Sequence, residues 1–481
     1  MFQPPYPAGL PIGSEWVTVP STVPVTFPYD GTVVADAPLG SEQLAHKALD
    51  EAVAIKAEVA KLSSRARRQI LDSAAGAIIA NRAEFEHLLV LETGKPLVDC
   101  RTEVARTIVT LQASAEEVAR VHGETVPLDL LPSGDGLVGY WTRRPIGVVV
   151  GIAGFNYPLL LAAHKIAPSV AAGCPVICKP APATPLATLW LVDLMRTAAV
   201  EAGAPAGIVQ LVTGDAEVGV ALVTDRRIGA VSFTGSSTVG HQIARDAAPV
   251  KTLLELGSNA AMVVAADADL DAAVNAVLRG GFYASGQACI SVQRLIVLDA
   301  VAEEFTAKLL ARLGEVVTGD PREEETRVSA LIDERSTKRV LQWVEVAVSA
   351  GARILGGGGL DGGVIRPTVL TNVPAGSACW DEEIFGPVVC LRTVSTVDEA
   401  FAMVNDSRYG LNASVFTSSL ATAHQAIDTL EVGAVVVNDV PGFRADTMPY
   451  GGVKDSGIGR EGPRFAIEEL TVTRMAVIRP A

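Results

Sequence analysis

Short β-branched runs alternate with longer Ala/Leu-rich stretches from Pro145 onward, and this alternation narrows the fold more than any other feature of the chain. Strands alternating with crossover helices build a parallel, doubly wound sheet. The first round predicts strands at Ile146–Ile152, Pro175–Cys178, Ile208–Val212, Ile228–Phe233 and Leu253–Leu256. Helices are predicted between them over Pro158–Ala172, with proline in its first turn, Pro185–Gly203, Glu217–Thr224 and Thr238–Ala247. A second round runs from Ala260 to Asn438. It includes strands at Ala260–Val264, Leu295–Leu298 and Ala434–Asn438 and helices over Asp269–Phe282 and Val301–Val316. Two successive α/β sheets imply two lobes with a cleft between them, a common place for a site. The polar stretch Gly123–Arg144 reads as an excursion from the first lobe. Val472–Ile478 reads as a terminal strand whose unpaired edge invites a second copy.

A length of 481 residues implies two to three domains. With 49% hydrophobic and 19% charged residues the chain can bury large cores, which argues against disorder. The net charge of −15 disfavours a nucleic-acid or anionic-membrane surface. Six cysteines, at 100, 174, 178, 289, 379 and 390, are too sparse and irregular for a disulfide scaffold or zinc ribbon; free thiols in a reducing cytoplasm are expected. The opening MFQPPYPAGLPIGSEW has no basic region followed by an apolar run, so no secretory signal is expected. Ile146–Ala163 is uncharged over eighteen residues, near the length of a short membrane span. Gly151, Gly154, Asn156 and Pro158 interrupt it, and a strand, a turn and a buried helix start explain it better.

Four local patterns carry chemistry. Gly286-Gln287-Ala288-Cys289 presents a thiol between a helix and a strand. A lone cysteine usually fills space, but with a base nearby it is a strong nucleophile. Leu254-Glu255-Leu256-Gly257 ends an apolar strand with a carboxylate, either turned to solvent or buried as a general base. Asn156, between Phe155 and Tyr157 at a strand–helix turn, is placed to cap the helix or to donate to a developing oxyanion. Phe233-Thr234-Gly235-Ser236-Ser237 aims backbone N–H groups and a helix N-terminus at a phosphate, without the GxGxxG pattern.

Seven stretches in order resemble the aldehyde dehydrogenase superfamily over nearly the whole chain: GFNYPL (154–159), KPAPATP (179–185), FTGSS (233–237), LELGS (253–257), GQACISVQR (286–294), EEIFGP (382–387) and PYGGVKDSGIGREG (449–462). The cysteine and C-terminal motifs look most similar to dehydrogenases of lactaldehyde and related small polar aldehydes. The resemblance implies an aldehyde-dehydrogenase-like α/β fold of two doubly wound lobes plus a small β oligomerisation arm. A dinucleotide-binding domain is expected over 1–122 and 145–256, a catalytic domain over 257–464, and the arm over 123–144 and 465–481. It implies NAD or NADP as cofactor, no metal, and a homodimer or homotetramer.

The resemblance also implies roles. Cys289 attacks the aldehyde, Asn156 and the Cys289 N–H hold the oxyanion, and Glu255 activates the water that hydrolyses the thioester. Lys165 lies near the site. Lys179 holds the adenine ribose, Ser236 the pyrophosphate and Glu383 the nicotinamide ribose, with Phe385 beside it; Phe155, Pro182, Gly214, Phe233, Gly235, Leu256 and Gly257 complete the cofactor contacts. The presence of Glu255 favours water over coenzyme A as acyl acceptor. Pro182 stands where NAD-preferring relatives often carry glutamate, so NADP use is open. Ala288 stands where relatives acting on phosphorylated aldehydes often carry arginine, which counts against such substrates. The substrate tunnel is expected to draw on Arg106, Tyr157, Leu161, His164, Ala288, Ile290, Arg444 and Tyr450. Arg444 is either an anchor for an anionic substrate or a structural partner of Asp446 or a neighbour. Two other classes are open to the same residues: a cofactor-independent cysteine esterase or acyltransferase, and a non-catalytic protein on the same fold. No nucleophile elbow supports the first, and retention of Cys289, Glu255 and Asn156 opposes the second.

Overall fold

A computed structural model describes residues 2–480. The first sheet runs in the order Gly457–Ile458, Lys251–Glu255, Ile228–Thr234, Val148–Ile152, Val176–Lys179, Val209–Leu211. Its pairings are parallel except at the antiparallel edge strand Gly457–Ile458. The strand order reverses between Val148–Ile152 and Ile228–Thr234, and ligands bind at the carboxyl ends of strands at such a switch point. The parallel register sets Ile152 beside Lys179 on one side and Phe233 on the other, with Thr234 beside Glu255. One row of strand ends thus carries four of the expected site segments.

The second sheet runs Arg353–Gly356, Thr368–Thr371, Val388–Val394, Arg294–Leu298, Ala261–Val264, Asn412–Phe416, Ala434–Val437. A third, three-stranded antiparallel sheet joins Thr471–Ile478 to Val138–Pro145 and Glu124–Thr125, with Thr471–Ile478 at its edge. Val472, Met475, Val477 and Ile478 on that edge strand are exposed.

Between Ile146 and Ala163 lie a strand, a turn and the first turns of helix Pro158–Ala172, and among the described residues no helix is long and apolar enough to cross a membrane. Every residue of Pro158–Ala172 is buried. Its start depends on a distant residue. The N-cap Tyr157 makes no side-chain cap bond. Glu103, from helix Leu97–Glu117, accepts from the N–H groups of Leu159 (2.9 Å) and Leu160 (3.2 Å) and pairs with the buried Lys95. A carboxylate at a buried helix N-terminus satisfies orphan donors and meets the positive end of the dipole. Glu92 does the same for Leu186 and Ala187 (2.9 and 3.0 Å) at the start of helix Leu186–Glu201. The turn carrying Asn156 is therefore fixed from behind by the N-terminal helices.

Candidate active site

A cavity of about 320 Å³ opens between the two lobes. The first lobe contributes strand ends: the turn Gly154–Tyr157, the turn Thr234–Ser236, and Glu255 to Gly257. The second lobe brings its thiol to the start of a strand, since Cys289 lies just before Arg294–Leu298. Three consecutive residues ahead of it have positive φ: Ala284 (48°), Ser285 (57°) and Gly286 (74°). Side-chain-bearing residues resist this conformation, so the neighbourhood must hold it. Asp99 accepts from the Ala284 N–H (2.9 Å) and Ser285 Oγ from the Ser329 N–H (2.9 Å). A Cβ on Gly286 would lie 2.1 Å from the Gly386 carbonyl oxygen, which explains the glycine. Gln293 binds the backbone of Glu382 (2.6 Å) and Ile384 (2.9 Å), drawing Glu383 to the cavity.

Asn156 does not cap its helix. Its amide donates to the Gln287 carbonyl (2.8 Å), reaching across the cleft to the cysteine loop. A carboxamide has two N–H donors, so one remains for a ligand. Cys289 is half-buried, and its sulfur lies 3.2 Å from the Tyr450 hydroxyl. Burial pushes the thiol up to about 11, against the Tyr450 hydrogen bond, while Glu383 and Glu255 add to the rise. Glu255 is buried, with one carboxyl oxygen that has no hydrogen-bond partner. Burial first, then the charge of Glu461, raises its pKa well above the usual carboxylate range.

The cavity's two ends differ. At one, Phe155 and Phe385 meet edge to face at 5.7 Å, beside Gly235, exposed Ser236 and Gly257. Ser236 caps helix Ser237–Ala247 by accepting from the Val239 N–H. Glu383 accepts from the Ser258 N–H (3.0 Å), and burial pushes its pKa to about 7.

At the other end, Arg106 forms a forked pair with Asp446 (3.0 and 2.7 Å). His164 sits between Asp446 (3.4 Å) and Glu461 (3.2 Å). Arg444 reaches Glu461 (3.2 Å) and Asp446 (3.8 Å), and its guanidinium lies 3.7 Å from the centre of the Tyr450 ring. Burial alone would raise Asp446 and Glu461, but the surrounding cations outweigh it and hold both below the usual range.

Of the residues expected from sequence, Arg106, Phe155, Asn156, Tyr157, Leu161, His164, Gly235, Ser236, Glu255, Leu256, Gly257, Ala288, Cys289, Ile290, Glu383, Phe385, Arg444 and Tyr450 line this one cavity. Lys165, Lys179, Pro182, Gly214 and Phe233 do not line it. Lys165 is tied instead to Thr234 and Glu461 behind the wall. Lys179 is buried at the end of its strand, near Gly219. Of the two readings of Arg444, the pairing with carboxylates is present, to Glu461 and Asp446, and the residue also lines the cavity. Sequence reasoning missed Tyr283, Arg339 and Glu461, and weighed Asp446 merely as a partner for Arg444. Glu461 lay inside a quoted motif, where a carboxylate beside Arg460 and two glycines was the available signal.

The profile of the aldehyde dehydrogenase family matches residues 16–476. The chain is 40% identical over 471 residues to 3-sulfolactaldehyde dehydrogenase from Priestia megaterium, covering 98% of each protein. Its fold matches the crystal structure of aldehyde dehydrogenase 21 from Physcomitrella patens in complex with the reaction product succinate, with a TM-score of 0.95, 37% identity and 98% of both chains covered. It also matches glyceraldehyde-3-phosphate dehydrogenase from Methanocaldococcus jannaschii complexed with NADP, with a TM-score of 0.92, 34% identity, and 96% of this chain and 100% of the other covered.

Proposed function

The chain belongs to the aldehyde dehydrogenase family, and from that premise we propose that it oxidises a short polar aldehyde to the carboxylic acid, using NAD(P)⁺ and a thioester on Cys289. The observation that carries this reading is the convergence on one cavity of Cys289, Asn156 and Glu255, the last with a buried carboxyl oxygen that has no hydrogen-bond partner.

The residues present fit a dinucleotide. A Cβ on Gly257 would lie 2.7 Å from the Glu383 carboxylate, and one on Gly235 would lie 2.5 Å from the Phe233 ring. Glycine keeps this backbone close to where a cofactor would pass. Ser236 and the helix N-terminus behind it would hold phosphate, Lys179 the adenine ribose and Glu383 the nicotinamide ribose. When bound, the cofactor supplies the two-electron acceptor for the aldehyde carbon.

The Cys289 sulfur gives up its proton to water and bonds the carbonyl carbon, and the resulting oxyanion is met by the Asn156 amide and the Cys289 backbone N–H. Oxidation of this thiohemiacetal leaves a thioester. Glu255 then takes a proton from water, the hydroxide adds to the thioester, and the carbon–sulfur bond breaks to free the acid. Glu255 must be ionised for this step, so hydrolysis rises with pH through a pKa raised by burial.

The charged end selects the substrate. Arg106, Arg444 and Lys165 surround the two low-pKa carboxylates Asp446 and Glu461. Arg106 commits Nε and one terminal nitrogen to Asp446, leaving its other terminal nitrogen for a ligand. This favours an aldehyde with an anionic far end, such as a semialdehyde or a sulfonated lactaldehyde, with Arg106 as anchor and Arg444 supporting. The absence of an arginine at Ala288 weighs against phosphorylated aldehydes. The exposed edge strand Thr471–Ile478 would pair between copies in a dimer or tetramer.

The test is NAD(P)H absorbance with NAD⁺ and NADP⁺ across lactaldehyde, glycolaldehyde, succinic semialdehyde, benzaldehyde and glyceraldehyde 3-phosphate. The reading expects reduction that Cys289→Ala abolishes. Reduction surviving in Cys289→Ala, or cofactor-independent acyl transfer alone, would refute it.

A further inference from the structure

We propose that the Tyr450 hydroxyl is the group that holds the charged Cys289 sulfur, donating a hydrogen bond to it whenever the carbon–sulfur bond is not in place. The inference deepens the reading of the same site, but its geometry stands without any assumption about aldehyde or cofactor. Among the described residues the sulfur has one side-chain hydrogen-bond partner, the Tyr450 hydroxyl at 3.2 Å. No histidine or lysine makes such a bond to it, and Arg444 favours the charged sulfur without a hydrogen bond, so the Tyr450 hydroxyl is its direct side-chain donor.

The ring is held firmly enough for that task. Tyr450 is 3% exposed and packs with Ile290 and Leu411 around Cys289. Its backbone is clamped in both directions to Glu461, at 3.1 Å and 2.6 Å. The Arg444 guanidinium, 3.7 Å from the ring centre, draws electron density from the phenol and strengthens its O–H as a donor. The hydroxyl keeps its own proton throughout. Burial, followed by the charges of Cys289 and Glu255, raises its pKa well above the ordinary value, against the opposing pull of Arg444.

The consequence is specific to steps at which sulfur carries charge. Before attack the thiol proton leaves to water and Tyr450 bonds the thiolate. Once the carbon–sulfur bond forms, the sulfur is neutral and a weak acceptor, so the bond is released. When the thioester breaks, the departing thiolate regains the same donor. Tyr450 thus acts in acylation and in deacylation, and not in binding the aldehyde.

Alkylation by iodoacetamide tests this without substrate or cofactor. The sulfur–carbon bond forms as iodide leaves, and the rate follows the thiolate fraction. The other five cysteines are buried, so peptide mass reads modification at Cys289 cleanly. The charged and titratable groups facing the sulfur are Glu255, Glu383, Tyr283, Tyr450 and Arg444, and Tyr450→Phe changes one of them while keeping the ring. The expected result is a rate-versus-pH midpoint raised by about one unit and alkylation about tenfold slower at fixed pH, with the melting temperature unchanged. Thioester hydrolysis slows by a similar factor, while KM for the aldehyde stays the same. An unchanged midpoint overturns the proposal. So does a lowered one, which would mean that the phenol oxygen accepts from the thiol and stabilises the uncharged form. Failure of the oxidoreductase reading would show separately, as absent turnover with the alkylation shift intact.

Discussion

At the end of the cavity lined by Gly235, Ser236 and Gly257 the walls are backbone, glycine and two phenyl rings. At the other end Arg106, His164 and Arg444 crowd around Asp446 and Glu461. The backbone of the first surface comes from three adjacent strand ends whose order is set by sheet register, and Glu383 and Phe385 close it from the second lobe. The second joins residues up to 340 positions apart, such as Arg106 and Asp446, and is defined by side chains alone. The difference teaches that the two ends answer to different physics. The strand-end surface is set by backbone register, whereas the charged surface is set by side chains that meet only in the folded chain.

Mutations at the two ends should therefore behave differently. The largest effect is expected from Asp446→Ala, which removes the carboxylate paired with Arg106 and one of the two beside His164 and Arg444. Breaking a buried pair in this way costs about 3–5 kcal/mol, read as a fall in the denaturant midpoint. A stability change below about 1 kcal/mol would mean that the cluster is held by packing instead.

Arg106→Ala is next. It is expected to lower kcat/KM for an anionic aldehyde by about 30-fold while changing that for a neutral aldehyde of similar length by less than about threefold. Equal losses for both would remove Arg106 from substrate selection and erase the distinction between the two ends.

Gly257→Ala probes the backbone-built surface. Its new Cβ meets the Glu383 carboxylate, so cofactor Kd is expected to rise about tenfold. A normal Kd would show that Glu383 gives way freely. The smallest expected effect follows Pro182→Glu, which sets a carboxylate near where an NADP⁺ 2′-phosphate would lie. It should cut kcat/KM with NADP⁺ several-fold and leave NAD⁺ within about twofold.

The same contrast explains what was legible in the sequence. The helix Pro158–Ala172 matches its expected limits, and the strand ends carrying Lys179, Thr234 and Glu255 fall at or within one residue of the ends read from the pattern. Local hydrophobic runs and turn residues suffice for such elements. The helix expected to run to Phe282 ends at Gly280, and the left-handed residues of the cysteine loop begin at Ala284. Nothing in Ala284 or Ser285 advertises positive φ; Asp99 and Ser329, far away in sequence, fix it.

Asn156 was ambiguous for a related reason. At a strand–helix turn a capping role is the common one, and only the contact with Gln287 and the cap supplied by Glu103 show that its amide is turned elsewhere. The charged end was the least legible part. Arg106, His164 and Arg444 could be named as candidates, but their shared carboxylates belong to segments that meet them only in the folded chain. The Tyr450 hydroxyl, named for the tunnel, proved to touch the sulfur itself.

In the proposed mechanism Cys289 carries an acyl group which Glu255-activated water removes. This is tested most directly by mixing Glu255→Gln with cofactor and the best aldehyde and following NAD(P)H together with intact protein mass. The expected result is a burst of about one NAD(P)H per subunit, then a stall, with the acyl mass on the peptide containing Cys289 and no rising limb of rate against pH. Continued turnover at the wild-type rate, with no adduct on that peptide, would contradict that mechanism.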